Sequence, residues 1–250
     1  MLTYEYPFNE TVRSLLRLEY LFERLSVFLN SDHPEHHLTA ISLIFDIGEV
    51  TSRADLKSSL LKELERQRVL LSSFRSEASV NTQALESTIT EIETCLTTLN
   101  NLVGKPSTIM NESEWLSMIR TRLSVPGGTS PIDLPSFYSW QQRSAEDRRA
   151  QLMTYTPAFA DWKLTCDLYL KLLRQSSEFH EVHSENGSFQ QMLAGKVYQL
   201  IRVQIGENDL IPEISANKHM LWIRFLQNST TGKPQAVTQN VIFALNLCNL

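Results

Sequence analysis

Basic residues beside glycine corners, crowded histidines and arginines in helical register are the places in this chain where chemistry could sit. The stretch 119-IRTRLSVPGGTSPIDLP-135 sets Arg120 and Arg122 just before Gly127 and Gly128. A glycine turn beside cations cradles phosphate when it follows a strand and opens a helix. Here the apolar spacing puts a helix before the turn, and G-x-G-x-x-G is absent. A nucleotide loop is therefore rejected, and both glycines are expected to supply positive φ angles at a chain reversal. Gly104–Lys105 also fails as a P-loop, because Pro106 follows the lysine and Leu99 stands where the first glycine belongs. The segment DHPEHH (32–37) crowds His33, His36 and His37, but no carboxylate or cysteine pattern completes a metal set. It reads as the start of a helix. His180 and His183 lie three apart in an expected strand, which places them on opposite faces. No G-x-S-x-G, H-E-x-x-H or C-x-x-C occurs. Nothing assembles a nucleophile, a base and an oxyanion donor, so neither an enzyme, a metal nor a cofactor is expected.

What remains is the distribution of arginines. Arg13, Arg17, Tyr20 and Arg24 share one helix face, since offsets of 4, 7 and 11 nearly complete whole turns. Such a stripe either faces solvent with Glu10 and Glu23 as partners or faces a ligand. The formal net charge is −5, which disfavours general binding to nucleic acid or to an anionic membrane. No apolar run reaches the roughly 20 residues of a membrane span, and the N-terminus MLTYEYPFNE lacks the basic start and greasy core of a secretory signal. A cytosolic protein is expected. Cys95, Cys166 and Cys248 are odd in number and far apart, and read as small buried hydrophobes.

The elements that must position these residues can be read from periodicity. Leu2, Tyr4, Tyr6 and Phe8 alternate as a strand, ended or edged by Pro7. Asn9 caps a helix to about Leu29, and a second helix follows to about Glu49. Leu60, Leu64, Gln67, Leu71 and Phe74 form one seam, and Leu85, Ile89, Ile92, Leu96, Leu99 and Val103 form another. Two near-3.5 repeats separated by a polar break at 77–81 specify an antiparallel helical hairpin. NESE (111–114) reads as a capping box. Helical turns follow at Pro135, after Ser144 and after Pro157. After Ser177 the period changes to two: Asn186–Gly187 signals a hairpin, and alternating runs begin near Val197, Met220 and Val241, with turns at 206–209 and 232–234. The fold class is α+β: a multi-helix domain over 9–176 with a long antiparallel helical hairpin, and an antiparallel β-domain made of 1–8 plus 177–250 that includes the N-terminal strand.

Several of these stretches together resemble one family. LLKELERQ (60–67), RTRLSVPGG (120–128), DLP (133–135), PEISANKHMLWIRF (212–225) and PFNETVRSLLRLEYL (7–21) occur in the order and with the gaps of the ZapD family of Z-ring-associated cell-division proteins. The resemblance implies a non-enzymatic homodimer, cytoplasmic and placed at the midcell division ring. It would bind the C-terminal tail of FtsZ through a basic pocket and cross-link or bundle FtsZ filaments. By motif, Arg53 and Arg224 stand where family members carry tail-binding arginines. Two departures are visible: Glu114 replaces a family arginine, and Met220 replaces a basic residue between Lys218 and Arg224. Arg17, Arg120, Arg122 and Lys218 are the other basic residues in family-like stretches. Arg120 and Arg122 are about 200° apart around a helix, so one of them is expected to make a structural bond, for instance to Asp133. The homodimer surface is expected on the helical seams at Leu96 and Leu99, unless the hairpin consumes them. An alternative from another class is a nucleic-acid-binding regulatory protein, with Trp222, Tyr198 and Arg202 stacking bases.

Overall fold

The computed structural model describes residues 1–77, 80–206, 209–229 and 232–250, the side chains of 54, 109 and 111 excepted. The expected turn at 206–209 and the break at 77–81 fall partly outside the described residues. Two compact units form, Ser14–Leu168 and Met1–Arg13 with Tyr169–Leu250.

The N-terminal strand leads into α1 (Glu10–Leu29), where the Asn9 carboxamide oxygen accepts from the Val12 amide at 2.8 Å. Its stripe Leu15, Leu18, Phe22 and Leu25 is buried. In α2 (Pro34–Thr51) the crowded histidines do begin a helix: His33 caps it, accepting from the Glu35 amide. Ile41, Ile44 and Ile47 bury its inner face. The hairpin consists of α3 (Ala54–Ser73) and α4 (Thr82–Asn101). Its antiparallel sense shows at both ends. Lys57, in the first turns of α3, donates to the carbonyl of Leu102 just past α4, while Arg75 pairs with Glu86 near the other end. Leu60, Leu64, Gln67, Leu85, Ile89, Ile92 and Leu99 are buried as the repeat requires. Four seam positions differ: Leu71 is only half-buried, and Phe74 is exposed in the short turn that follows α3. Cys95 is buried while its neighbour Leu96 is only half-buried, and Val103 lies beyond the helix, exposed.

Short helices complete this unit: α5 (Ser107–Glu112), α6 (Glu114–Leu123), α7 (Pro135–Gln141), α8 (Ala145–Met153) and α9 (Ala160–Gln175), of which α9 runs past Leu168. The expected box from Asn111 is displaced. Asn111 belongs to α5, and Ser113 caps α6 by accepting from the Leu116 amide. Of the two corner glycines, Gly127 takes φ +70°, as expected. Gly128 does not; a Cβ there would lie 2.6 Å from the Arg122 carbonyl oxygen, so its role is close approach.

The β unit holds β1 (Leu2–Pro7), β2 (His180–His183), β3 (Ser188–Met192), β4 (Leu200–Ile205), β5 (Leu210–Ala216), β6 (Met220–Gln227), β7 (Gln235–Ala236) and β8 (Ile242–Cys248). They form two antiparallel sheets, β1-β4-β8-β2 and β3-β6-β5, with β7 on β6. The N-terminal strand takes the outer edge beside β4, where Pro7 closes the ladder. The two sheets share a core that includes Ile201, Val203 and Phe243 from one and Leu221, Ile223 and Phe225 from the other. Asn186–Gly187 makes its tight turn, both residues with positive φ. The turn does not close a simple hairpin, however: after one bridge at Glu185–Ser188, β2 pairs with β8 and β3 with β6. The run expected from Val197 begins only at Leu200, and Val197 is 72% exposed. Glu5 anchors the edge strand, because Arg174 and Arg202 both donate to its carboxylate, each at 2.9 Å through Nε.

Candidate partner-binding site

Four of the six basic residues singled out above lie in the helical unit, and Lys218 and Arg224 lie in the β unit. Arg53 is the N-cap residue of α3, at the sharp junction with α2. It lines a cavity of about 120 Å³ together with Lys57, Lys105 and Trp162. Among the described residues that line this cavity, none is acidic, although Asp55 lies in the first turn of α3. Lys57 is fixed there by donating to the carbonyls of Leu102 (2.9 Å) and Asn100 (3.4 Å). Lys57 does not stand out in the sequence, and Lys105 drew notice only as part of the rejected phosphate loop.

Arg17 and Arg120 meet the acidic end of α2. Arg17 lines a groove with Tyr20, Asp46 and Glu49, and Arg120 lies 3.9 Å from Glu49 and 5.5 Å over the Phe45 ring. Burial, reinforced by Glu49, raises the Asp46 carboxyl above its usual value, and Arg24 and Arg120 oppose that shift. Of the expected arginine stripe on α1, Arg13 pairs with Glu10 and Arg24 lies over the rings of Tyr20 and Phe28. Arg122 turns to the other side of α6, 3.8 Å from Asp133, so the two arginines of RTRL divide as their angular separation requires.

In the β unit, β6 alternates buried Leu221, Ile223 and Phe225 with outward Trp222 and Arg224. In register, Arg224 sits opposite Ser188 on one side and Glu213 on the other, and Trp222 opposite Gln190 and Ser215. Lys218 is exposed at the bend before β6. The face that would stack bases is not formed as expected. Tyr198 packs on the sheet core near Phe8, and Arg202 is held by Glu5 and lies 5.0 Å over the Phe179 ring.

One cationic site escapes sequence reading entirely. Arg148 is buried, its guanidinium donating to the carbonyls of Asp32, Gln141 and Arg143 and to His37 Nδ1 at 3.0 Å. Burial, and Arg148 beside it, hold the His37 imidazole below its usual value. This network ties the loop before α2 to α8 and is spent on structure.

Among the described residues, no helix is long and apolar enough to cross a membrane. Comparison with known proteins agrees with the motifs. The family model described as "ZapD: Cell division protein" matches residues 16–224. Proteins named "Cell division protein ZapD" from Cupriavidus metallidurans, Cupriavidus taiwanensis and Ralstonia pickettii are 47%, 45% and 45% identical to this chain, over the full length of both sequences. That name describes a division protein and no enzyme. With its motifs in order and most of its length matched, the chain belongs to the ZapD family of cell-division proteins.

Proposed function

We propose that this chain binds the C-terminal tail of FtsZ through its basic residues and, as a cytoplasmic homodimer at the midcell ring, cross-links FtsZ filaments. Family membership supports the setting. The observation that carries the reading is Arg53 in a cavity whose walls, among the described residues, hold two further lysines and no carboxylate. Lys218, at the bend before β6, and Arg224, on the exposed side of that strand, are the second group of contacts. Guanidinium forks suit this task, since they grip a carboxylate with two hydrogen bonds and keep their charge. A short tail loses chain entropy on docking, so one contact is weak. Two sites on a dimer facing a filament of many tails raise avidity by roughly 100-fold through effective concentration alone.

Co-sedimentation with polymerised FtsZ, with and without its tail, tests this. The chain pellets with intact filaments, and deleting the tail abolishes it. Arg53→Glu and Arg224→Glu each weaken pelleting, and raising the salt weakens the wild type. Arg122→Glu, whose arginine already faces Asp133, has the smallest effect of the three. Undiminished pelleting with tailless filaments overturns the proposal.

A further inference from the structure

We propose that β2 and β3 hold an open slot for one added strand, and that its occupant is an extended protein segment whose side chains alternate apolar and basic. The slot lies within the β unit and does not depend on the tail-binding reading.

Backbone direction sets the geometry. The Glu185 amide donates to the Ser188 carbonyl at 2.8 Å, and the Ser188 amide donates back to Glu185 at 2.9 Å. An ordinary hairpin would continue that ladder through His183–Gln190 and Glu181–Met192. Here the strands splay apart instead, β2 to β8 and β3 to β6. In an antiparallel pair the peptide groups of alternate residues turn to opposite sides. The Ser184 amide bonds the Val241 carbonyl, so Ser184 and Val182 turn towards β8 while Glu181 and His183 turn away from it. The Phe225 amide bonds the Gly187 carbonyl, and the Leu193 amide bonds that of His219. Phe189 and Gln191 therefore serve β6, and Gln190 and Met192 face the slot. Two rows of peptide groups confront each other, and no further strand among the described residues pairs with either. The two strands belong to opposite sheets around one core. Such sheets stand about 10 Å apart, twice the ~4.8 Å between paired strands, so one strand spans the gap. A cleft of about 550 Å³ lies there, walled by His183, Glu185, Ser188, Phe189 and Gln190 among others.

The opposite side of the sandwich is closed. Tyr4 Oη donates to the Leu210 carbonyl at 3.2 Å, which ties β1 to β5. Those edges also carry Glu5 with Pro7 and Pro212 with Glu213. Prolines and charges are the means by which natural sheets refuse an extra strand. The β3 edge, Ser-Phe-Gln-Gln-Met, has neither.

The walls also choose the occupant. Val182 and Phe189 pack against the sandwich core, whereas Glu181, His183 and Glu185 are exposed along the other face of β2. Arg224 stands one strand further off, opposite Ser188, with Glu213 beyond it. An inserted strand sets apolar side chains inward against Val182 and Phe189, and basic ones outward beside the two carboxylates.

The test uses the full-length ¹⁵N-labelled protein and three peptides: Ac-Val-Lys-Val-Lys-Val-NH2, its analogue with glutamate for lysine, and the lysine peptide N-methylated throughout, which keeps its side chains but donates no backbone bond. The lysine peptide shifts the His183 and Gln190 amide resonances and slows hydrogen exchange at both. The glutamate peptide binds about fivefold more weakly, as two exposed carboxylates dictate, and Glu181→Gln with Glu185→Gln removes that preference. The N-methylated peptide protects neither amide. Gln190→Pro deletes a donor that makes no bond to β6, so the sheet persists and the lysine peptide no longer acts on His183. Three results overturn the slot: amides unmoved by millimolar lysine peptide, equal protection by the N-methylated peptide, or a Gln190→Pro protein that is folded and still responds. Lysine and glutamate peptides that bind alike overturn the basic occupant. Exchange at Gln190 that slows with protein concentration alone, without peptide, puts a second copy of the chain in the slot and overturns it too.

Discussion

Lowering the pH should loosen the helical unit through one buried histidine. Arg148 Nε donates to His37 Nδ1 at 3.0 Å, so the imidazole carries its hydrogen on Nε2. The rest of that guanidinium is committed to the carbonyls of Asp32, Gln141 and Arg143, and cannot turn aside. A second proton on His37 would set N–H against N–H and place two cations in contact inside the fold. The folded state therefore takes up this proton at lower pH than the unfolded chain, whose imidazole titrates near about 6.5. Between the two values the unfolded chain holds one more proton. Stability is then complete above about pH 6.5 and is lost as pH falls below it, at a limiting slope of about 1.4 kcal/mol per pH unit. Urea unfolding from pH 7.5 to 5.5, followed by tryptophan fluorescence, measures it. Trp222→Phe leaves Trp115, Trp140 and Trp162 as reporters, all in the helical unit. His37→Gln keeps an acceptor for Arg148 and removes the titration, so its profile is flatter than the parent's by up to that slope. The exposed histidines, His33, His36, His180, His183 and His219, are common to both proteins. Asp46, raised in the fold by burial, acts with opposite sign and is common to both proteins. Parallel slopes in the two proteins would refute the reasoning.

Three further expectations concern the frame that carries the site. Gly187→Ala places a Cβ 2.1 Å from the Val237 carbonyl oxygen at φ +71°, and should cost more than about 2 kcal/mol, whereas Gly104→Ala, at φ +78° with open space around it, should cost only about 1 kcal/mol; thermal melts separate them. Leu99→Glu buries a charge in the hairpin seam and should remove helical circular dichroism, while Leu70→Glu, at a position 43% exposed, should leave the fold within about 0.5 kcal/mol of the parent. Glu5→Gln leaves Arg174 and Arg202 half-buried without their shared carboxylate, and should lower the urea midpoint of the β unit by the equivalent of about 2 kcal/mol.

Elements were legible wherever burial is periodic along the chain. The seams of α3 and α4 and the alternation in β4, β6 and β8 could be read because each inner residue recurs at the period of its own element. What failed is set by partners far away in sequence. Asn186–Gly187 specifies a turn, but which sheet each flanking strand joins depends on β6 and β8, more than 30 residues on. Arg148 looked like one more charge on a short polar helix, because most of its acceptors are backbone carbonyls, which no side-chain pattern advertises. The Arg53 cavity draws on 51–57, 102–106 and Trp162, and no local motif joins three such segments. Arg122 was half legible: angular spacing separated it from Arg120, and Asp133 stood near enough in sequence to be named.

The same distinction between local and distant partners answers how a chain of net charge −5 can hold an acidic tail. At physiological salt, exposed charges are largely screened beyond about 8 Å, so the total says little about any one pocket. What counts is the sign of the nearest groups, and here the basic residues separate. Arg122 faces Asp133, and Arg120 faces Glu49. A carboxylate arriving at either must displace a resident acid or share its arginine, which lowers the gain. Arg17 shares its groove with Asp46 and Glu49. Arg224 has Glu213 opposite it on β5. Among these and among the described residues, only Arg53 lines a cavity whose walls hold cations and no acid. Net acidity also suits the task, since it discourages loose adhesion to nucleic acid and anionic lipid, leaving a small acid-free recess to distinguish the proper ligand from the many anions around it.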